Sequence, residues 1–109
     1  MPLSIKDLMR IAGNELLTAL SAQDGPGKTL SVTIVPDDTG AIIQCRFARN
    51  FDRDACASWL VAKVSAWIRQ NGDPAFTLDV TRDLREPTIE ARICDEPPLI
   101  RVPSATPNG

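Results

Sequence analysis

The groups able to do chemistry in this chain are few in kind. Carboxylates dominate: Asp37, Asp38, Asp52, Asp54, Asp79, Asp83, Glu86, Asp95 and Glu96. Catalysis by such groups alone needs two of them converging in a cleft with their pKa values pushed apart; Asp37, Asp38, Asp52 and Asp54 are candidates for one negative end, and the fold decides whether they converge. Asp37 and Asp38 could touch a divalent cation. A calcium loop needs further oxygen ligands at regular spacing, so a charged turn is the expected role. There is no histidine, which removes the usual base near neutral pH and the commonest transition-metal ligand.

Cys45, Cys56 and Cys94 are the only cysteines. The count is odd and no C-x-x-C pair occurs, so neither a disulfide framework nor a zinc site is expected. They suit small thiols in a reducing cytoplasm. Cys56 falls near the start of an expected helix, where a thiolate would be stabilised. A nucleophile also needs a base, and the usual one is missing, so Cys56 is read as structural. Gly25-Pro26-Gly27-Lys28-Thr29 is similar to the end of a phosphate loop only on the surface. Its proline and glycine spacing fit a helix-to-strand linker instead. No cofactor and no metal are expected.

The elements that would position these groups follow from periodicity. Asp52 to Gly72 reads as the central amphipathic helix, with Asp52 as N-cap, Asp54 in the first turn, Arg69 in the last, and Gly72 and Pro74 as the stop. Ala57, Leu60, Val61, Val64, Trp67 and Ile68 form its apolar stripe. Trp59 falls off that stripe, beside Ala55, Ala62 and Ala66. Two roles compete for this flank: close packing against the other helix of the same domain, or an exposed hot spot for a partner. An earlier helix starts at Ser4, with Asp7 completing a capping box. It carries Ile5, Leu8, Met9, Ala12, Leu16, Ala19 and Leu20 as its stripe and ends near Ala22. Gly13 weakens it and is read either as tolerated or as room for another backbone.

Four strands follow from alternation. Leu30, Val32 and Ile34 face inward on the first, Ile43, Cys45 and Phe47 on the second, Phe76, Leu78 and Val80 on the third, and Ile89, Ala91 and Ile93 on the fourth. Residues 36–40 and 83–87 are the hairpin loops. The expected fold is α+β, an α-β-β-α-β-β two-layer sandwich with two helices on one face of a four-stranded antiparallel sheet. If the two hairpins meet in the middle, the order is a circular permutation of the ferredoxin-like arrangement. Ile43 to Phe47 parallels Ile89 to Ile93, so the halves are candidates for pseudo-symmetry. The other face of the sheet is mixed and polar, without the aromatic platform of a sheet-based RNA binder.

Residues 1–96 are read as one domain and 97–109 as a proline-containing tail. Within the tail, Leu99, Ile100, Arg101 and Val102 could lie along an edge of their own sheet or add to a partner's. The formal net charge of −2 argues against general nucleic-acid binding. Such a role would need Arg46, Arg92, Arg82 and Arg85 gathered on one side. No signal-peptide pattern or membrane span is visible. The expected function is a small cytoplasmic protein-binding module without catalysis, an adaptor, chaperone or inhibitor of the compact kind that phages and other mobile elements carry. Its partner is another protein or a second copy, met through Trp59 and its alanines, through Asp37 and Asp38, or through Leu99 to Val102. The rivals are a structural subunit working as a homo-oligomer and an enzyme using carboxylates alone.

Overall fold

Short polar side chains set where both helices begin. The computed structural model describes residues 4–81 and 86–95. Its elements are α1 (Ile5–Leu20), β1 (Thr29–Pro36), β2 (Gly40–Phe47), α2 (Arg53–Gln70), β3 (Phe76–Thr81) and β4 (Thr88–Asp95). At α1 the Asp7 amide donates to Ser4 Oγ at 3.1 Å, and the Ser4 amide donates to Asp7 Oδ2 at 3.3 Å, completing the expected box. These bonds hold the Asp7 carboxyl below its ordinary range. The Ile5 amide donates to Asp95 Oδ1 at 2.6 Å, which ties the end of β4 to the start of α1. Asp52 caps α2 by accepting from the Ala55 amide at 3.0 Å. Gly72, at φ 104°, supplies the left-handed turn after it.

The sheet is antiparallel throughout, in the order β1-β2-β4-β3. The two hairpins therefore meet through β2 and β4, which gives the permuted ferredoxin-like order. Both helices lie on one face: α1 packs on β1 and β2, and α2 on β4 and β3. Between the layers Leu8, Leu16, Leu20, Leu60, Val64 and Ile68 meet Ile43, Phe47, Ile89 and Ile93, all fully buried. Each large side chain withdrawn from water contributes roughly 1.5–3 kcal/mol before entropy is set against it.

Two inward assignments are corrected. Leu30 does not face the core: the register slips between Thr29 and Ser31, a bulge that buries Thr29 and turns Leu30 out of the alternation. Val61 lies at the rim of the α2 stripe, exposed, and Cys56 takes its place among the buried residues. β3 is an edge strand, so Phe76, Leu78 and Val80 are half-buried, not enclosed. α1 also carries a kink at Ala12 (φ −129°, ψ 15°), beside Gly13. Trp67 Nε1 donates to the Ala12 carbonyl at 3.0 Å, an intrusion of the kind that breaks the helical ladder.

The halves correspond residue by residue. Counted from the N-caps Ser4 and Asp52, Leu8, Met9, Leu16 and Leu20 stand where Cys56, Ala57, Val64 and Ile68 stand, and all eight are buried. In the middle of the sheet, Gln44 pairs with Glu90, its own counterpart in the repeated pentapeptide. A pseudo-twofold axis thus passes through this pair, normal to the sheet.

Candidate functional site

Most residues singled out from the sequence serve the fold itself. Trp59 is half-buried. Its ring meets Phe47 edge-on at 6.2 Å, and Gly25 lies so close over it that an added Cβ would stand 2.8 Å from the indole. The cover comes from the α1–β1 linker, pinned by Lys63 Nζ donating to Asp24 Oδ2 at 2.5 Å. That contact holds the Asp24 carboxyl below its ordinary range, and the indole N–H adds to the effect. Trp59 Nε1 is nonetheless buried without a partner at full hydrogen-bond geometry. Of the neighbouring alanines, Ala55 is half-buried while Ala62 and Ala66 are exposed.

Asp37 Oδ1 accepts from the amides of Thr39 (3.0 Å) and Gly40 (2.8 Å), closing the β1–β2 turn, while Asp38 is exposed. Asp52 is taken up by its cap. Leu99, Ile100, Arg101 and Val102 lie outside the described residues, as do Arg82, Asp83, Arg85 and Glu96. No group of three or more His, Cys, Asp or Glu suited to a metal occurs among the described residues.

The cysteines are free thiols. Burial pushes the Cys45 thiol up to about 12, with nearby Cys56 adding in the same direction. Burial, then Asp52, pushes Cys56 up as well. The dipole of α2 is thus outweighed, and the thiolate expected of that position is not stabilised.

On the outer sheet face, Gln44 Nε2 donates to Glu90 Oε1 at 2.9 Å, and Arg46 lies 3.4 Å from Glu86. Arg92 stands across from Asp79 in the β3–β4 register. A polar hollow at the start of α2 has Arg46, Arg49, Arg53 and Glu86 in its lining. There Arg53 lies over the Phe51 ring at 5.0 Å and donates to the Glu86 carbonyl.

A different kind of surface lies at the β1 edge. A groove of about 420 Å³ runs between α1 and β1, with Met9, Gly13, Leu17, Val32 and Ile34 in its lining. Ile11 (64% exposed) and Leu17 (38%) also line it, with Arg10, Asn14 and Thr33, while Leu30 (56%) and Val35 (52%) stand open elsewhere on β1. Among the described residues these are four of the five large apolar side chains open to solvent; Val61 is the fifth. β1 itself has no Asp, Glu, Lys or Arg over its eight residues, and no described strand lies beyond it.

Sequence reading passed over this surface. Its signal was present in apolar Ile11 and Leu17 off the α1 stripe and in a strand devoid of charge. An edge position, which periodicity does not reveal, left those residues open beside a groove.

No protein-family model, curated protein or solved structure matches this chain. Among the described residues no helix is long and apolar enough to cross a membrane.

Proposed function

We propose that the chain is a small protein-binding module without catalysis, serving as an adaptor, chaperone or inhibitor, and that its partner docks on the β1 edge. One observation carries the reading: an uncharged edge strand borders a groove of mixed lining, Met9, Val32 and Ile34 beside Arg10 and Asn14, that leaves Ile11 and Leu17 exposed. Edges normally carry lysine, proline, inward charge or a bulge to repel other strands, and here Pro36 and the bulge at Thr29 and Ser31 guard only the two ends of β1. Backbone pairing would supply affinity, and the groove would supply selectivity. The roles found for Asp7, Asp37, Asp52 and Asp95 in caps and turns support a non-catalytic reading. So does the high pKa of Cys45.

The test is affinity capture with the intact chain beside Thr33→Lys, which charges an exposed edge position. A stoichiometric protein, foreign or a second copy, held by the first and lost from the second supports the reading. Capture unchanged by the lysine, or no stoichiometric protein at all, sinks it. The second reading, a structural subunit that works as a homo-oligomer, is favoured by the distribution of apolar residues over the same surface.

A further inference from the structure

The internal pseudo-symmetry provides a comparison within one molecule. The groove at the β1 edge has a counterpart at the β3 edge, of about 350 Å³, whose lining includes Ala57, Val61, Ala62 and Val80. Counted from the N-caps, Met9, Gly13 and Asn14 answer to Ala57, Val61 and Ala62. Val32 answers to Val80, because their partners Cys45 and Ala91 are equivalent. The two grooves are one feature displayed twice, so differences between them mark what the shared architecture does not require.

Three differences fall on the same side. Gly13 occupies the place held by Val61, and a Cβ added at Gly13 meets nothing within 4 Å. The α1 groove is thus open where its counterpart is filled. Ile11 answers to Trp59. The linker of residues 21–28 reaches over Trp59, whereas the shorter linker of residues 71–75 leaves Ile11 64% exposed. Finally, β3 carries Asp79, and β1 carries no charge.

We infer that the occupant of the β1 edge is a second copy of this chain, paired antiparallel through β1 about a twofold axis. The inference rests on the docking surface proposed above and names its partner. A twofold contact must be self-complementary, and this surface holds both halves of the fit. Ile11 and Leu17 project, and the space beside Gly13 receives. Electrostatics agree. An antiparallel twofold pairing centred on β1 sets Thr33, near the middle of the strand, against its own copy, and like charges opposed across strands are destabilising. β1 has none to oppose. Pairing would join two sheets of four strands into one of eight and set the two α1 helices side by side over it, covering Ile11, Leu17, Val32 and Ile34. A foreign strand would have no need for both projections and gap on one surface.

Sedimentation of the full chain tests this, with Gly13→Val and Thr33→Lys as variants. Val61 shows that valine suits the equivalent helical position, and Thr33 is exposed, so both should melt as folded proteins. The wild type is expected as a dimer at micromolar concentration. Gly13→Val should raise the dissociation constant about tenfold or more by overfilling a packed contact, and Thr33→Lys about fivefold by opposing like charges. Mixing Thr33→Lys with Thr33→Glu should restore the dimer, an outcome that only pairing between copies produces. A wild type that stays monomeric, or a dimer indifferent to both variants, overturns the inference. Exchange of the β1 amides in such a monomer then separates two failures. Fast exchange leaves the edge free for a different partner, so only the second-copy assignment falls. Slow exchange means the chain covers its own edge, and the docking reading falls with it.

Discussion

Gln44 and Glu90 pair across the centre of the sheet, joined side chain to side chain at 2.9 Å, and each is the other's counterpart in the two halves. The bond is exposed on the polar face, whereas Ile43 and Ile89, one residue before each, point into the fully buried core. The axis therefore separates two energies along one strand. Gln44→Ala should cost about 0.5–1 kcal/mol. Ile43→Ala and Ile89→Ala should each cost about 2–5 kcal/mol, by similar amounts. Urea melting decides, and a Gln44→Ala loss as large as that of Ile43→Ala would mean that the sheet faces are assigned wrongly.

Trp67 closes the gap between the helices in two ways. Its ring is almost wholly buried, and its indole N–H donates to Ala12 at the α1 kink. Trp67→Ala should cost about 3–5 kcal/mol. Trp67→Phe keeps much of the ring but leaves the Ala12 carbonyl short of a donor, at about 1–3 kcal/mol. Equal stability of the wild type and Trp67→Phe in urea would show that the kink does not depend on this bond.

Two glycines should respond to the same substitution in opposite senses. At Gly25 a methyl would press on Trp59 at 2.8 Å, so Gly25→Ala should destabilise by about 1–3 kcal/mol and lift the linker. At Gly13 nothing obstructs it, so Gly13→Ala should stabilise by about 0.5–1 kcal/mol through helix propensity. Thermal melts of dilute protein check both. A loss at Gly13 would mean that the groove is already filled.

Alkaline pH should weaken the fold through Cys45. In the unfolded chain the thiol ionises near its ordinary 9.0, while in the folded chain burial raises this to about 12. Between these values the unfolded state holds fewer protons, so stability falls as pH rises, by about 1.4 kcal/mol per unit for one such group. Below pH 9 the thiol contributes no slope. Cys45→Ala is expected to be less stable at neutral pH but to show a shallower decline from pH 9 upward. An unchanged slope would show that Cys45 reaches water.

What the sequence discloses, and what it hides, follows from the range of the forces involved. Caps at Ser4 and Asp52, the stop at Gly72 and the alternation of Ile43, Cys45 and Phe47 are local, and each is legible from neighbouring residues. The succession α-β-β-α-β-β marks two hairpins, but their meeting through β2 and β4 in the order β1-β2-β4-β3 depends on contacts between the halves that periodicity does not encode. Leu30 and Val61 were misplaced for tertiary reasons: a bulge against β2 moved one, and the rim of the helix packing exposed the other. The β1 groove was hidden for a further reason. An edge strand and a central strand share one residue pattern, and only the completed sheet tells them apart. Trp59 drew notice as an aromatic off its stripe. Its cover is a linker from the other half of the chain, a contact that helical periodicity does not encode.

Amide hydrogen exchange followed as protein concentration is raised tests the central claim most directly, because it reports on each edge separately. The account requires protection to grow across Ser31–Val35 of β1 while Phe76–Thr81 of β3 keeps a constant rate. Protection that ignores concentration at β1, or that grows at β3 instead, would contradict it.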